Sequence, residues 1–236
     1  MLPYSDARPP VITLTTDFGL DDAYVGVLKG IILARLPWAQ IVDLSHTVRA
    51  QDTLGAAFLL ETAWRSFPDG TIHLVVVDPG VGTPRRRLAL ASDGQIFVGP
   101  DNGCLSGALE PRRRSKRAPG SEYVAHDTTL LPETVAVSIE NESLRRRPVS
   151  NTFEGRDIFA PAAAYLAGGG LLIDLGPRVD TVRAFPAFRA QPTASGIEGI
   201  VLRADRFGNL ITDIRTEDLI PDARITVAGR QLRLSR

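Results

Sequence analysis

The 236-residue sequence contains a single cysteine, Cys104, so it forms no internal disulfide. Its three histidines, His46, His73 and His126, are scattered and offer no HExxH or paired Cys/His spacing. Only carboxylates remain as metal ligands, and no metal site is expected. Neither sign of charge is in excess, with 27 Lys+Arg against 27 Asp+Glu, so no global field argues for nucleic acid or an anionic membrane as partner. No apolar run reaches the roughly 18 residues of a spanning helix, and the opening MLPYSDARPP lacks the basic start and apolar stretch of a signal peptide. These absences lead to the expectation of a cytoplasmic protein without membrane or nucleic-acid partners. At 44% hydrophobic residues the chain can bury a full core, as one large domain or as one domain with a small companion.

The chain is organised around Thr71 to Asn102. The β-branched run Ile72 to Val77 ends abruptly in Asp78-Pro79-Gly80, the pattern of a buried parallel strand that feeds a functional loop. Ligands collect at the carboxyl edge of open α/β sheets, so Asp78, with Gly80, Gly82 and the arginines Arg85, Arg86 and Arg87, forms a candidate site. A tight turn carrying solvated arginines is the plain alternative. The glycines do not make a dinucleotide fingerprint, because GVGTPR carries Arg85 where a third glycine belongs.

Before this stretch, Val11 to Thr15 predicts a strand ending at Asp17. Asp21 or Asp22 is a candidate cap for a helix reaching Leu36. Ala39 to Leu44 predicts a second strand, and Asp52 to Phe67 a second helix. The β-α-β-α-β order argues for a mostly parallel sheet. Leu88 to Ala91 and Gln95 to Val98 read as a hairpin, making the sheet mixed. Glu110 to Gly120, EPRRRSKRAPG, reads as a solvated loop without chemistry. Thr134 to Ile139 reads as a strand. Ile158 to Leu166 reads as a helix capped by Asp157 or Thr152, with Arg156 and Asp157 either paired or part of a site. The proline-bearing Leu171 to Pro192 marks a boundary, giving residues 1–188 as an α/β domain and 189–236 as a small β domain. In the latter, Gly199 to Ala204, Leu210 to Ile214, Ala223 to Val227 and Gln231 to Leu234 read as strands.

With TTDFGLDDAYVGVLKG, IVDLSH, VVVDPGVGTPRR, VGPDNG, SNTFEGRDIFAPAAA and DRFGNLITDI in one order, the chain resembles the S-adenosylmethionine hydroxide adenosyltransferases, relatives of the fluorinases and chlorinases. The match runs from about Val11 to Ile214. The resemblance implies a Rossmann-like N-terminal sheet flanked by helices, a C-terminal β domain and a homotrimer with active sites between subunits. It further implies that S-adenosylmethionine is attacked at ribose C5′ by water or hydroxide, giving adenosine and methionine, with no added cofactor.

On that resemblance Asp17 matches the residue on the ribose hydroxyls, while Asp205 and Asn209 match positions facing the methionine and adenine ends. Asp78 and Arg85 match two members of the Asp-Arg-His set at the water. The histidine of TFHGRD is Glu154 in this chain, and Phe153 beside it joins the substrate-binding group. Glu154 has two readings: an acceptor crowded against Asp78, with one pKa raised, or a salt bridge to Arg85 that closes the site. Hence a non-catalytic adenosine or S-adenosylmethionine binding protein stands beside the hydrolase, and a halogenase stands third, since an added carboxylate repels a halide. Family members also continue past the last hairpin, so a C-terminal β domain short for the family is expected from an end at Arg236.

Overall fold

The computed structural model describes residues 8–194, 196–220 and 223–232. Within them the chain divides into two compact units, one formed by residues 1–115 and 123–186, the other by 116–122 and 187–236.

The first unit begins β1 (Val11–Thr16), α1 (Tyr24–Arg35), β2 (Gln40–Ser45), α2 (Thr53–Ala63), β3 (Ile72–Val76), as the alternating pattern predicts. The hairpin β4 (Arg87–Ser92) and β5 (Gln95–Pro100) follows. Then come β6 (His126–Thr129), β7 (Val135–Ser138), α3 (Ala160–Ala167), β8 (Arg178–Val179) and β9 (Thr181–Ala184). Seven strands form one sheet in the order β2-β1-β3-β5-β4-β7-β8. The first four run parallel, and β4, β7 and β8 are added antiparallel. β6 and β9 pair as a separate ribbon. These two, with β8, are segments of two to four residues, too short to show a period in sequence.

β3 is buried along its whole length and lies between parallel neighbours. Its side chains alternate between two apolar clusters. Ile72, Leu74 and Val76 join Leu28 and Ile32 of α1 and Ala160, Ala163 and Ala164 of α3. Val75 and Val77 join Ala56 and Leu60 of α2 with Trp64 and Phe97. A strand covered on both faces needs no polar side, which is why its sequence reads as a continuous apolar run.

The ends of the helices depart from expectation in part. Asp52 caps α2, its Oδ1 accepting from the Gly55 amide at 2.8 Å. That helix stops at Ala63, and a 3-10 turn covers Trp64–Ser66. α1 starts without a side-chain cap: Ala23 occupies the cap position, rather than Asp21 or Asp22.

The second unit carries three antiparallel hairpins: β10 (Gln191–Thr193) with β11 (Gly196–Glu198), β12 (Val201–Ala204) with β13 (Leu210–Thr212), and β14 (Ile225–Val227) with β15 (Arg230–Leu232). Leu234 and Arg236 lie outside the described residues, as do Met1–Ala7. The arginine-rich stretch read as a solvated loop is corrected here, because Arg114 and Arg117 are both buried. Arg114 pairs with Glu61 of α2. Arg117 lies 3.3 Å from Glu198 and 3.8 Å from Asp213, and it donates to the Ser121 carbonyl at 3.0 Å. Carboxylates distant in sequence bury these cations, so local charge pattern could not reveal them.

His73 of β3 is fully buried between Phe67 and Phe97. Gln95 donates its amide hydrogen to the Phe67 carbonyl at 3.1 Å, so its oxygen accepts from His73 Nε2. Nδ1 then accepts from the Thr13 hydroxyl at 2.7 Å, a complete set of bonds for a neutral ring. Burial pushes this pKa down to about 4, outweighing the opposing effect of the Gln95 bond. The unfolded chain, with an ordinary histidine near 6.5, therefore binds the proton first as pH falls. Stability is fully present above that value and declines by ~3 kcal/mol as pH drops towards 4. Urea titrations between pH 7 and 4 are expected to show this decline, and His73→Gln should flatten it; an unchanged slope in the variant would refute the assignment.

Candidate active site

Asp78 stands just beyond the carboxyl end of β3, and Asp17 just beyond that of β1; the two strands pair with Thr16 beside Val76. Both carboxylates therefore share one sheet edge. The loop after Asp78 is closed by its own turns, with Val81 N–H donating to the Asp78 carbonyl at 3.2 Å and Thr83 N–H to that of Gly80 at 3.1 Å. Gly82 has φ +79°, and a Cβ there would stand 2.6 Å from the Asn151 carbonyl oxygen. Only glycine permits that approach, which sets the DPGVGT loop against the segment leading to Glu154.

Arg85 folds back onto Asp78 as a fork. Its Nε donates to Oδ1 at 2.7 Å and its Nη2 to Oδ2. The same Nη2 donates its other hydrogen to Glu154 Oε2 at 2.5 Å, and Glu154 Oε1 accepts from Arg87 Nη2. The result is a chain of alternating charge, Asp78–Arg85–Glu154–Arg87. The side chains of Asp78, Arg85 and Glu154 are 6%, 9% and 3% exposed, so these contacts are shielded from water. Burial pushes the Arg85 pKa down, but the bonds to Asp78, then to Glu154, outweigh it and hold the guanidinium above its ordinary value. The two carboxylates converge on the same Arg85 nitrogen, whose positive charge stands between them.

Arg86 turns away from this chain to Asp101, 2.7 Å from Oδ2, following the alternation of extended backbone. Asp101 also accepts from the Arg183 amide at 2.7 Å, while burial, its leading influence, raises its pKa. Only two of the three candidate arginines thus reach the Glu154 side of the loop.

Glu154 opens a π turn, Gly155–Phe159, that feeds α3. Gly155 brings this backbone to the sheet: a Cβ would meet Val76 at 3.2 Å and Phe18 at 3.4 Å. Neither candidate cap acts on the helix. Asp157 accepts from the Ser150 amide at 2.8 Å and is gripped by Arg156 at 2.6 and 2.8 Å, so Arg156 and Asp157 are a structural pair. Although burial pushes its carboxyl up, these partners hold Asp157 below its ordinary pKa. The Thr152 hydroxyl lies 3.2 Å from that of Ser150, and among the described residues no side chain caps the π turn or α3.

Asp17 accepts from the Gln51 amide at 2.8 Å. Phe18 beside it meets Tyr24 and Phe153 edge to face, at centroid distances of 6.1 and 6.0 Å, and Tyr24 meets Phe153 at 5.2 Å. This trio puts an aromatic wall beside Asp17; Phe153 is the member read from sequence, while Phe18 and Tyr24 were missed although Phe18 adjoins Asp17. Behind it, the Thr16 hydroxyl lies 2.9 Å from His46 Nδ1, and His46 Nε2 lies 3.0 Å from Asp43. Asp43 also holds Lys29 at 2.6 Å. The Gly19 amide bonds the His46 carbonyl at 2.8 Å, tying the loop after Asp17 to the end of β2.

Asp205 and Asn209 lie in the second unit, in the turn between β12 and β13. Asp205 accepts from the Phe207 and Asn209 amides, each at 2.8 Å, and from the Asn209 side chain at 2.7 Å. The Asn209 side chain is the chief influence lowering the Asp205 pKa. Among the described residues, no cluster of three or more His, Cys, Asp or Glu side chains is placed to hold a metal ion.

Residues 12–176 match the family described as SAM hydroxide adenosyltransferase N-terminal domain. An (R)-S-adenosyl-L-methionine hydrolase of Thermus thermophilus is 38% identical over 231 residues, covering 96% of this chain and 82% of the relative. One of the same description from Salinispora tropica is 38% identical over 206 residues, 86% of this chain and 72% of the relative. Among solved structures, an uncharacterised conserved protein of Thermotoga maritima superposes with a TM-score of 0.77 at 31% identity, covering 94% of this chain and 80% of that one. On the matched motifs, the matched length and these likenesses together, the chain belongs to the SAM hydroxide adenosyltransferase family.

Proposed function

We infer that this protein hydrolyses S-adenosyl-L-methionine to adenosine and L-methionine, by attack of water or hydroxide at ribose C5′. The observation that carries this reading furthest is the Arg85 fork on Asp78 at the carboxyl end of β3, inside a family whose close relatives are named hydrolases of this substrate.

The chemistry asks little acid–base work of the protein. As the water oxygen bonds to C5′, the C5′–S bond breaks and its electron pair returns to sulfur, so methionine leaves as a neutral thioether without a general acid. The attacking water loses one proton. A protonated alcohol is far more acidic than any carboxylic acid, so Asp78 is a competent acceptor even while paired with Arg85. The main requirements are alignment and exclusion of bulk water. Among the described residues Asp78 accepts three bonds, from Arg85 Nε, Arg85 Nη2 and the Gly80 amide, the last at 3.2 Å. A carboxylate has about four acceptor positions, which leaves one for the water.

In the same reading Asp17 binds the ribose hydroxyls and Phe153 helps wall the substrate. Asp205 and Asn209 are assigned, from the resemblance alone, to the methionine and adenine ends, in a cytoplasmic homotrimer. Sedimentation should return three times the mass of the chain, and a monomer would remove the trimer from the reading. Glu154 spans two arginines, so the positive charge that would attract a halide is already neutralised. Chloride or fluoride is therefore expected to give no 5′-halo-adenosine.

Turnover followed by chromatography should give adenosine and methionine in equal amounts. Asp78→Ala is expected to lower the rate by about 100-fold or more, the scale of a lost proton acceptor. If the native protein binds the substrate yet forms neither product, the chain is a binding protein in which Glu154 has removed the chemistry and left the pocket.

A further inference from the structure

Arg87 is not among the residues matched to the water site, yet its side chain ends on Glu154. Resting on the hydrolase reading, we propose that Arg87 is a positioning residue for the reaction: by holding Glu154, it lets Arg85 keep its fork on Asp78.

The argument is one of charge and supply of hydrogens. Asp78 and Glu154 place two negative charges on Arg85, and a single Nη2 serves both of them. Arg87 supplies the second positive charge and brings the four groups to neutrality. Glu154 is only 2% exposed and cannot pass its charge to water.

Without Arg87, Glu154 has Arg85 alone. It then regains balance by drawing the guanidinium away from Asp78. That loosens the carboxylate that orients the water, while Asp17 is untouched. Loss of Arg87 should therefore fall on kcat rather than KM.

The test is a kinetic cycle of Arg87→Met and Arg87→Lys in the native chain and in Glu154→Gln. In the native chain, Arg87→Met is expected to lower kcat by about 10-fold or more, with KM within about 3-fold, as misplacement of a reacting group does. Arg87→Lys, which keeps the charge, should recover most of the loss. In Glu154→Gln there is no charge left to hold, so Arg87→Met should change kcat by less than about 2-fold. Equal losses in both backgrounds, or a change in KM alone, would mean that Arg87 merely supports the fold and would overturn the proposal.

If the native chain forms no adenosine, the hydrolase reading fails independently. The crystal structure of Arg87→Met then decides the positioning claim: a displaced Arg85 supports it, and an unmoved fork on Asp78 overturns it. Should Arg87→Met not fold, Arg87→Gln carries the same comparison.

Discussion

Two carboxylates buried at the edge of one sheet require positive partners in the same small volume, and Arg85 meets that need by standing between them. Its fork fixes Asp78, and its remaining Nη2 hydrogen fixes Glu154. An unpaired carboxylate at this depth would cost several kcal/mol, so the loop after β3, the start of β4 and the entry to α3 must converge. The glycines permit the convergence: Gly82 lets the DPGVGT loop touch the Asn151 carbonyl, and Gly155 lets the π turn touch β3.

The parallel sheet turns this convergence into a place for chemistry. β1 and β3 lie side by side and end together, so Asp17 and Asp78 stand on one edge although sixty residues separate them in sequence. The apolar clusters on both faces of β3 hold that edge rigid, and the loops carry the polar groups. Glu154, where the resemblance implies a histidine, carries a charge into this site, and that charge is met by two arginines, Arg85 and Arg87.

Much of this was legible from residues alone. The run IHLVVV read as a buried strand because β3 is covered on both faces. Asp78 and Arg85 were legible from motif, since a strand end followed by glycines leaves few places for their side chains. What sequence could not show depends on partners distant along the chain. EPRRRSKRAPG looked solvated because Glu61, Glu198 and Asp213, which bury Arg114 and Arg117, lie far from it. Asp157 looked like a helix cap because the π turn that displaces the helix start leaves no periodic trace. Arg87 stood in plain view among three arginines, but its task depends on Glu154, 67 residues away.

The claim at the centre of this account is that the reacting oxygen sits on Asp78 within the charge chain. A crystal structure of the protein with adenosine and methionine bound tests it directly. The account predicts the 5′-hydroxyl oxygen of adenosine within hydrogen-bond distance of the Asp78 carboxylate, with the Arg85 fork in place. Adenosine bound with its 5′-oxygen directed away from Asp78 would contradict it.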